Sequence, residues 1–438
     1  MRKRKLVWGI VLGIFLSFIF VIEAHAIPTF ARKYRTSCTT CHIGFNKVNA
    51  FGEAFRLNGY NVPEGDAAYV KEEPISLGAP AWAKVWPEAV WPGVIPQTVP
   101  ISFMAHQRVN FQQDDETSTL DFNMPHEFEL LLGGTFGDFA SFFGEYVLDE
   151  NGDVEGLQRL FVQFNDVFYS NFGNFLPENA LNLKMGRFHI AAEPFHNPTR
   201  RTLSSILMND STVGESAWNF RDLQSGIEVN GIMASRLRYA FGIVNGNGAT
   251  LDDNHRKDMY YRIAYKLDGL ALDGTGGEES GDELKQRNNW VDDSVTLGTF
   301  GYLGTSNISD ADDNILWKNN QFFRVGGDLR ISYANMDAYS ALVYGEDSKP
   351  LIDLARDVKS LAWLIGADYV IFPWLTTSLR YETTEVWGGQ SDTERFISSL
   401  ALFPRANIRC IAELIYYPES DGNDDGNNLL MVDLAYLF

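Results

Sequence analysis

The chain has 438 residues, a formal net charge of -21 and only three cysteines. That acidic surplus excludes a nucleic-acid partner held by charge, and three cysteines exclude a disulfide-stapled scaffold. Beyond the first 26 residues no stretch reaches the roughly 18 consecutive apolar residues of a transmembrane helix, yet Phe, Tyr and Trp number 31, 18 and 10, as in a chain that meets lipid through strands.

Residues 1–26 read as a signal peptide: Arg2, Lys3, Arg4 and Lys5 are a basic n-region, Leu6 to Ile22 is apolar, and Ala24-His25-Ala26 is an A-x-A cleavage site. The mature chain is expected outside the cytoplasm. Residues 27–73 follow as a small cytochrome c-like domain. Cys38-Thr39-Thr40-Cys41-His42 is C-x-x-C-H, the spacing that attaches one covalent haem c, with thioethers to Cys38 and Cys41 and the proximal nitrogen from His42. No further Cys or His lies nearby to make a zinc site. Phe45, Val48, Phe51, Ala54, Phe55 and Leu57 repeat at helical spacing, and Asn58-Gly59 closes the helix. So short a segment builds little core, and the macrocycle would supply much of its apolar contact.

Between residues 27 and 103 the only His is His42, and there is no Met. A strong second axial ligand must therefore come from the region that follows. His106 and Met104, expected to face inward early on the first strand, are the first candidates, and His189 and His196 in "GRFHIAAEPFHNPTRR" rank after them; an open or water-bound iron is the remaining alternative. Residues 74–99 are a Pro- and Trp-rich linker with Trp82, Trp86 and Trp91, expected to be extended and packed on the barrel wall or rim, or else anchored at the membrane interface.

Residues 100–438 fall into segments of about ten residues with alternating polarity, the dyad pattern of an outer-membrane barrel. Sixteen segments are predicted, starting near residues 100, 118, 138, 156, 181, 223, 235, 258, 291, 320, 337, 360, 374, 393, 407 and 428. In "DMYYRIAYKL", Met259, Tyr261, Ile263, Tyr265 and Leu267 face outward while Arg262 and Lys266 face inward. Inward positions such as Arg108, Arg236, Arg330, Glu129 and Asp433 predict a mixed, slightly basic lumen, leaving the acidic surplus to the loops. Short turns share one side with both chain ends, the periplasmic side. The terminal "LLMVDLAYLF" resembles the assembly signal of such barrels, and Cys410 is a small apolar filler. The fold class is thus mainly β: a 16-stranded antiparallel outer-membrane β-barrel carrying a small α-helical cytochrome c-like domain.

Pro28-Thr29-Phe30-Ala31-Arg32, the C-x-x-C-H motif, and Asn49-Ala50-Phe51-Gly52 through Asn58-Gly59-Tyr60 together resemble the fused cytochrome-porin family of the outer membrane, which includes iron oxidases. After Arg32 the sequence Lys-Tyr-Arg-Thr departs from the oxidase pattern. The resemblance implies an oxidoreductase: a single-haem electron conduit that oxidises extracellular Fe(II) and passes electrons to a periplasmic c-type cytochrome. The alternatives are the same conduit reducing an external acceptor, or a diffusion porin with a haem-containing plug.

Overall fold

The computed structural model describes residues 29–438 apart from 64, 74, 88–93, 96, 98, 114–117, 168–175, 197–201, 251, 253, 276–291, 309–317, 352–355, 388–391 and 419–427. The expected signal peptide, Trp91 and most of the acidic loops lie outside the described residues. Sixteen strands close into one barrel: β1 (Ile101–Gln113), β2 (Ser118–Phe136), β3 (Ala140–Glu150), β4 (Gly156–Phe164), β5 (Asn182–Phe188), β6 (Gln224–Met233), β7 (Leu237–Val244), β8 (Asp258–Asp268), β9 (Ser294–Ile308), β10 (Lys318–Tyr333), β11 (Met336–Asp347), β12 (Val358–Phe372), β13 (Leu375–Trp387), β14 (Thr393–Arg405), β15 (Ile408–Tyr416) and β16 (Asn428–Leu437). Each pairs antiparallel with its sequence neighbour, and β16 closes on β1 with Asp433 opposite Arg108.

Alternating polarity produces this wall because a strand turns successive side chains to opposite faces. Along β8, Met259, Ile263, Tyr265 and Leu267 are exposed on the outside while Tyr260, Arg262, Ala264 and Lys266 are buried within. Cys410 sits half-buried on the outer face of β15, the face that also carries exposed Leu414. Tight turns at 137–139, 234–236, 334–335, 373–374 and 406–407 share one end of the barrel with Ile101 and Phe438.

A barrel of sixteen strands is wide enough for an aqueous channel, and two inserts occupy part of this one. The first is the N-terminal segment: α1 (Thr29–Tyr34), a 3-10 turn at Cys38–Thr40, a hairpin pairing His42–Gly44 with Lys47–Val48, and α2 (Ala50–Leu57). Phe45 and Val48, expected on the helix, belong instead to the hairpin region before it, because Asn49 caps α2 by accepting the Gly52 amide at 2.8 Å. Gly59 then takes φ +62°, the left-handed conformation that ends a helix. Polar contacts fasten this insert to the wall: the Thr29 amide donates to Ser102 at 2.9 Å, and Lys33 donates to Thr135 at 3.0 Å.

The second insert is the connection from β5 to β6, with its short helix α3 (Leu207–Asp210). Glu413 accepts the amides of Leu203 (2.6 Å) and Ser204 (2.8 Å), Glu382 accepts that of Leu207 (3.1 Å), and Arg380 donates to the Ser205 carbonyl (2.8 Å). Behind these contacts lies an apolar core in which Phe188, Ile190, Ile206, Met208, Trp218 and Phe220 pack on the inward faces of Tyr260, Phe300, Tyr302, Phe322, Tyr339 and Leu364. The mixed lumen expected from the alternation is therefore only part of the interior. Its charges are largely paired, as in Arg324 with Asp347 (2.8 Å), Arg330 with Asp337 (2.9 Å) and Arg395 with Glu382 (2.6 Å). Arg236, expected to face the lumen, sits in the 234–236 turn and donates to the carbonyls of Asp268 and Gly269 at the rim.

The linker is not simply extended. Ile75–Ser76 pairs with Val94–Ile95, and between them Pro80–Val85 forms a short helix with proline at its start.

Candidate functional site

The 3-10 turn carrying Cys38 begins at Ser37, whose hydroxyl accepts the Thr39 amide at 3.3 Å. Asn49 straps the motif to α2: its amide donates to the Cys41 carbonyl (2.9 Å) and its side chain to the Thr40 carbonyl (3.0 Å). Helix and motif lie so close that a Cβ on Gly52 would come 2.1 Å from the Cys41 carbonyl oxygen. Glycine is required there by contact rather than by backbone angle.

His42 is held by Nδ1, 3.2 Å from the Asn46 carbonyl oxygen. That partner puts the proton on Nδ1 and leaves the lone pair on Nε2, the orientation a backbone carbonyl gives to metal-binding histidines. Burial lowers the basicity of His42, keeping its imidazole neutral. Burial also pushes the Cys41 thiol up to about 12.

Cys38, Cys41 and His42 line a cavity of about 290 Å³ between the first insert and the wall. Phe30, Tyr34, Phe45, Val48, Phe51 and Phe55 form its apolar sleeve, and Met104, Glu129, Leu131, Phe143, Glu145 and Arg159 close the barrel side. Two thiols, a neutral oriented imidazole, an aromatic sleeve, a facing thioether and two guanidinium groups, Arg56 and Arg159, suit a covalently attached haem and its carboxylates. Both cations already have carboxylate partners, Arg56 with Glu53 at 2.7 Å and Arg159 with Glu145.

The candidates for the second ligand separate in space. Met104 lines the cavity. His106 does not: it is buried with Nδ1 3.1 Å from Asp433. His189 lies 3.0 Å from Glu193, and its ring centroid is 6.5 Å from that of His196. His196 lines a second, smaller cavity of about 120 Å³ with Lys47, Glu53, Arg238, Arg330, Asp337 and Asp368. Sequence reasoning gave no role to Lys47 or Glu145. Glu145 could have been found from the alternation of β3, whereas Lys47 carries no sequence signal, because its partners lie almost three hundred residues or more away.

From the cavity a row of rings crosses the inner wall from strand to strand: Tyr60 stacks on Phe143 (5.7 Å), Phe143 on its cross-strand partner Phe161 (6.3 Å), and Phe161 meets Phe188 edge-on (6.3 Å) at the border of the apolar core.

No protein-family model and no curated protein matches the chain. Among solved structures it is similar to an anion-selective porin from Comamonas acidovorans, at 10% identity over 78% of this chain and 99% of that one, with a TM-score of 0.52. It is also similar to OmpF of Salmonella typhi, solved in complex with daunomycin (12% identity, 77% and 97% coverage, TM-score 0.49), and to the outer membrane channel DcaP of Acinetobacter baumannii (12%, 77% and 97%, 0.48). The first of these likenesses identifies the architecture as a porin-type closed barrel, built here from sixteen antiparallel strands.

Proposed function

We propose that the protein is an outer-membrane electron conduit carrying electrons from extracellular Fe(II) to a periplasmic c-type cytochrome, in which Cys38, Cys41 and His42 would hold a single covalent haem c. One observation carries this reading. The C-x-x-C-H residues line a largely apolar cavity completed by the barrel wall, in a lumen that the described residues of two inserts and an apolar core occupy in part. Bound haem would supply one-electron redox chemistry. The chain's own residues do the rest: His42 is oriented by Asn46, the aromatic sleeve excludes water, and Arg56 and Arg159 balance negative charge. Among the four candidates Met104 alone lines the cavity, and its thioether would be the side chain available to such a group there. The tight turns and both chain ends face the periplasm in this reading, which puts the haem segment on the side where a soluble partner can reach it.

Anaerobic Fe(II) titration of the purified protein tests the proposal. Reduction of the haem absorption bands by stoichiometric Fe(II) at the organism's pH is the expected result, and oxidised haem persisting under excess Fe(II) overturns it. The porin likeness favours one second reading, a diffusion channel whose plug carries the haem motif. Large, stable conductance from the haem-loaded protein in planar bilayers would establish that reading instead; electrical silence supports the conduit.

A further inference from the structure

We propose that residues 75–87 form an interfacial membrane anchor, laying Leu77, Trp82, Val85 and Trp86 into the lipid headgroup region beside the barrel rim. The inference does not rest on haem. These four side chains are exposed by 55%, 40%, 63% and 61%, a concentration of large apolar surface that soluble proteins seldom leave uncovered. The segment leaves the first insert where the Lys71 amide donates to the Lys33 carbonyl at 2.9 Å, and Lys33 in turn reaches Thr135. It returns where Pro100 accepts the Gly133 amide at 3.1 Å. Both ends are thus fixed at the same end of β2, and the Val94–Ile95 strand packs against β2.

What covers such a surface is indicated by its neighbours. Around the same rim the outer wall exposes Phe136, Phe139, Tyr333, Tyr369, Phe372 and Trp374, an aromatic girdle at the level where membrane barrels meet headgroups. Tryptophan suits that depth because its ring is apolar while its N–H needs a polar partner. Lys84 is the one charged side chain among the described residues of 75–99. A lone lysine can keep its ammonium at the phosphates, whereas a protein partner recognised by charge would have almost nothing to read. The short helix at Pro80–Val85 cannot span a bilayer but can lie in its interface.

The test uses the full chain labelled with 5-fluorotryptophan in lipid nanodiscs, with resonances assigned by Trp82→Phe, Trp86→Phe and Trp374→Phe. Fluorine relaxation is measured with dissolved oxygen, which concentrates in lipid, and with a water-soluble gadolinium chelate. The expected result is oxygen relaxation of Trp82 and Trp86 comparable to that of the girdle residue Trp374, with relaxation by the gadolinium chelate as weak as that of Trp374. Strong gadolinium relaxation in nanodiscs overturns the proposal. So does insensitivity to both agents, which would mean cover by protein or by a second copy of the chain. The Phe replacements preserve ring packing, so folding is not at stake.

Discussion

Lys47 offers the sharpest test of how the first insert is held. It is 1% exposed, and its ammonium meets Asp368 on β12 at 2.5 Å and Asp337 on β11. Replacing it with methionine keeps the stem and leaves two buried carboxylates without their cation. Removing one partner of a buried pair costs ~3–5 kcal/mol. Arg330 continues to grip Asp337 with two bonds of 2.9 Å, so the loss falls mainly on Asp368 and the lower end applies. A loss of ~3 kcal/mol raises the population of unseated insert roughly 100-fold. In the reconstituted protein, cleavage of residues 29–71 by a protease tracks that open population when reseating is fast. Lys47→Met is therefore expected to be cut about 100-fold faster, with new channel openings in bilayers. The double variant Lys47→Met/Asp368→Asn, which removes the orphaned charge, should recover most of the loss. Wild-type cleavage rates for the single variant, or no recovery in the double, would refute the reasoning.

Gly52→Ala places a methyl against the Cys41 carbonyl and must push α2 off the motif, so haem staining on a denaturing gel is expected to fall while the barrel keeps its strand signal in circular dichroism. Glu413→Gln weakens two charge-assisted bonds that seat the second insert, worth about 1.5–3 kcal/mol each when intact, and should appear as flickering conductance with little change in insert proteolysis. Glu53 supplies the pH dependence. Burial alone would raise its carboxyl, but Arg56 at 2.7 Å and then Arg238 override burial and hold it well below the usual carboxylate range. A depressed acid contributes stability in full above its unfolded value near about 4.3, lost as pH falls through the folded value. Docking of the insert should therefore be flat from neutral pH to about pH 4 and weaken below it, and Glu53→Gln should shrink that acid limb when cleavage is followed with an acid-active protease, the remainder coming from the carboxylates that hold Lys47.

The wall was legible because lipid and lumen impose opposite demands on alternate residues, so strands such as β8, β10 and β16 carry their faces in their sequences. Cys38, Cys41 and His42 stand out in the sequence because their spacing is local, and the structure brings them to one cavity. What occupies the barrel was not legible. Tyr260, Tyr302 and Phe322 read on their own as unremarkable aromatic residues of a barrel chain; only the return of Trp218 and Phe220 into the lumen makes them a core. The same applies to the choice among Met104, His106, His189 and His196. Period-two reasoning puts Met104 and His106 on one face, but Asp433, more than three hundred positions later, takes His106 for itself. Long-range pairing of this kind has no signature in a window of ten residues.

The two inserts are secured by different physics, and the difference follows from where each meets the wall. The N-terminal insert must find partners at a sequence separation of 321 residues, as Lys47 does with Asp368, so it can seat only after β11 and β12 are in place. Such a late-docking piece gains from charge, which acts at range and specifies a single seat. The second insert is tethered at both ends by β5 and β6 and needs no steering; apolar packing of Trp218, Phe220 and Met208, with backbone amides tied to Glu382 and Glu413, is sufficient to hold it. A barrel holding one keyed and one tethered insert keeps the two failure modes separate. Loss of Lys47 should free the haem-motif segment while the apolar core stays closed, and loss of Glu413 should loosen the other insert while Cys38, Cys41 and His42 keep their place.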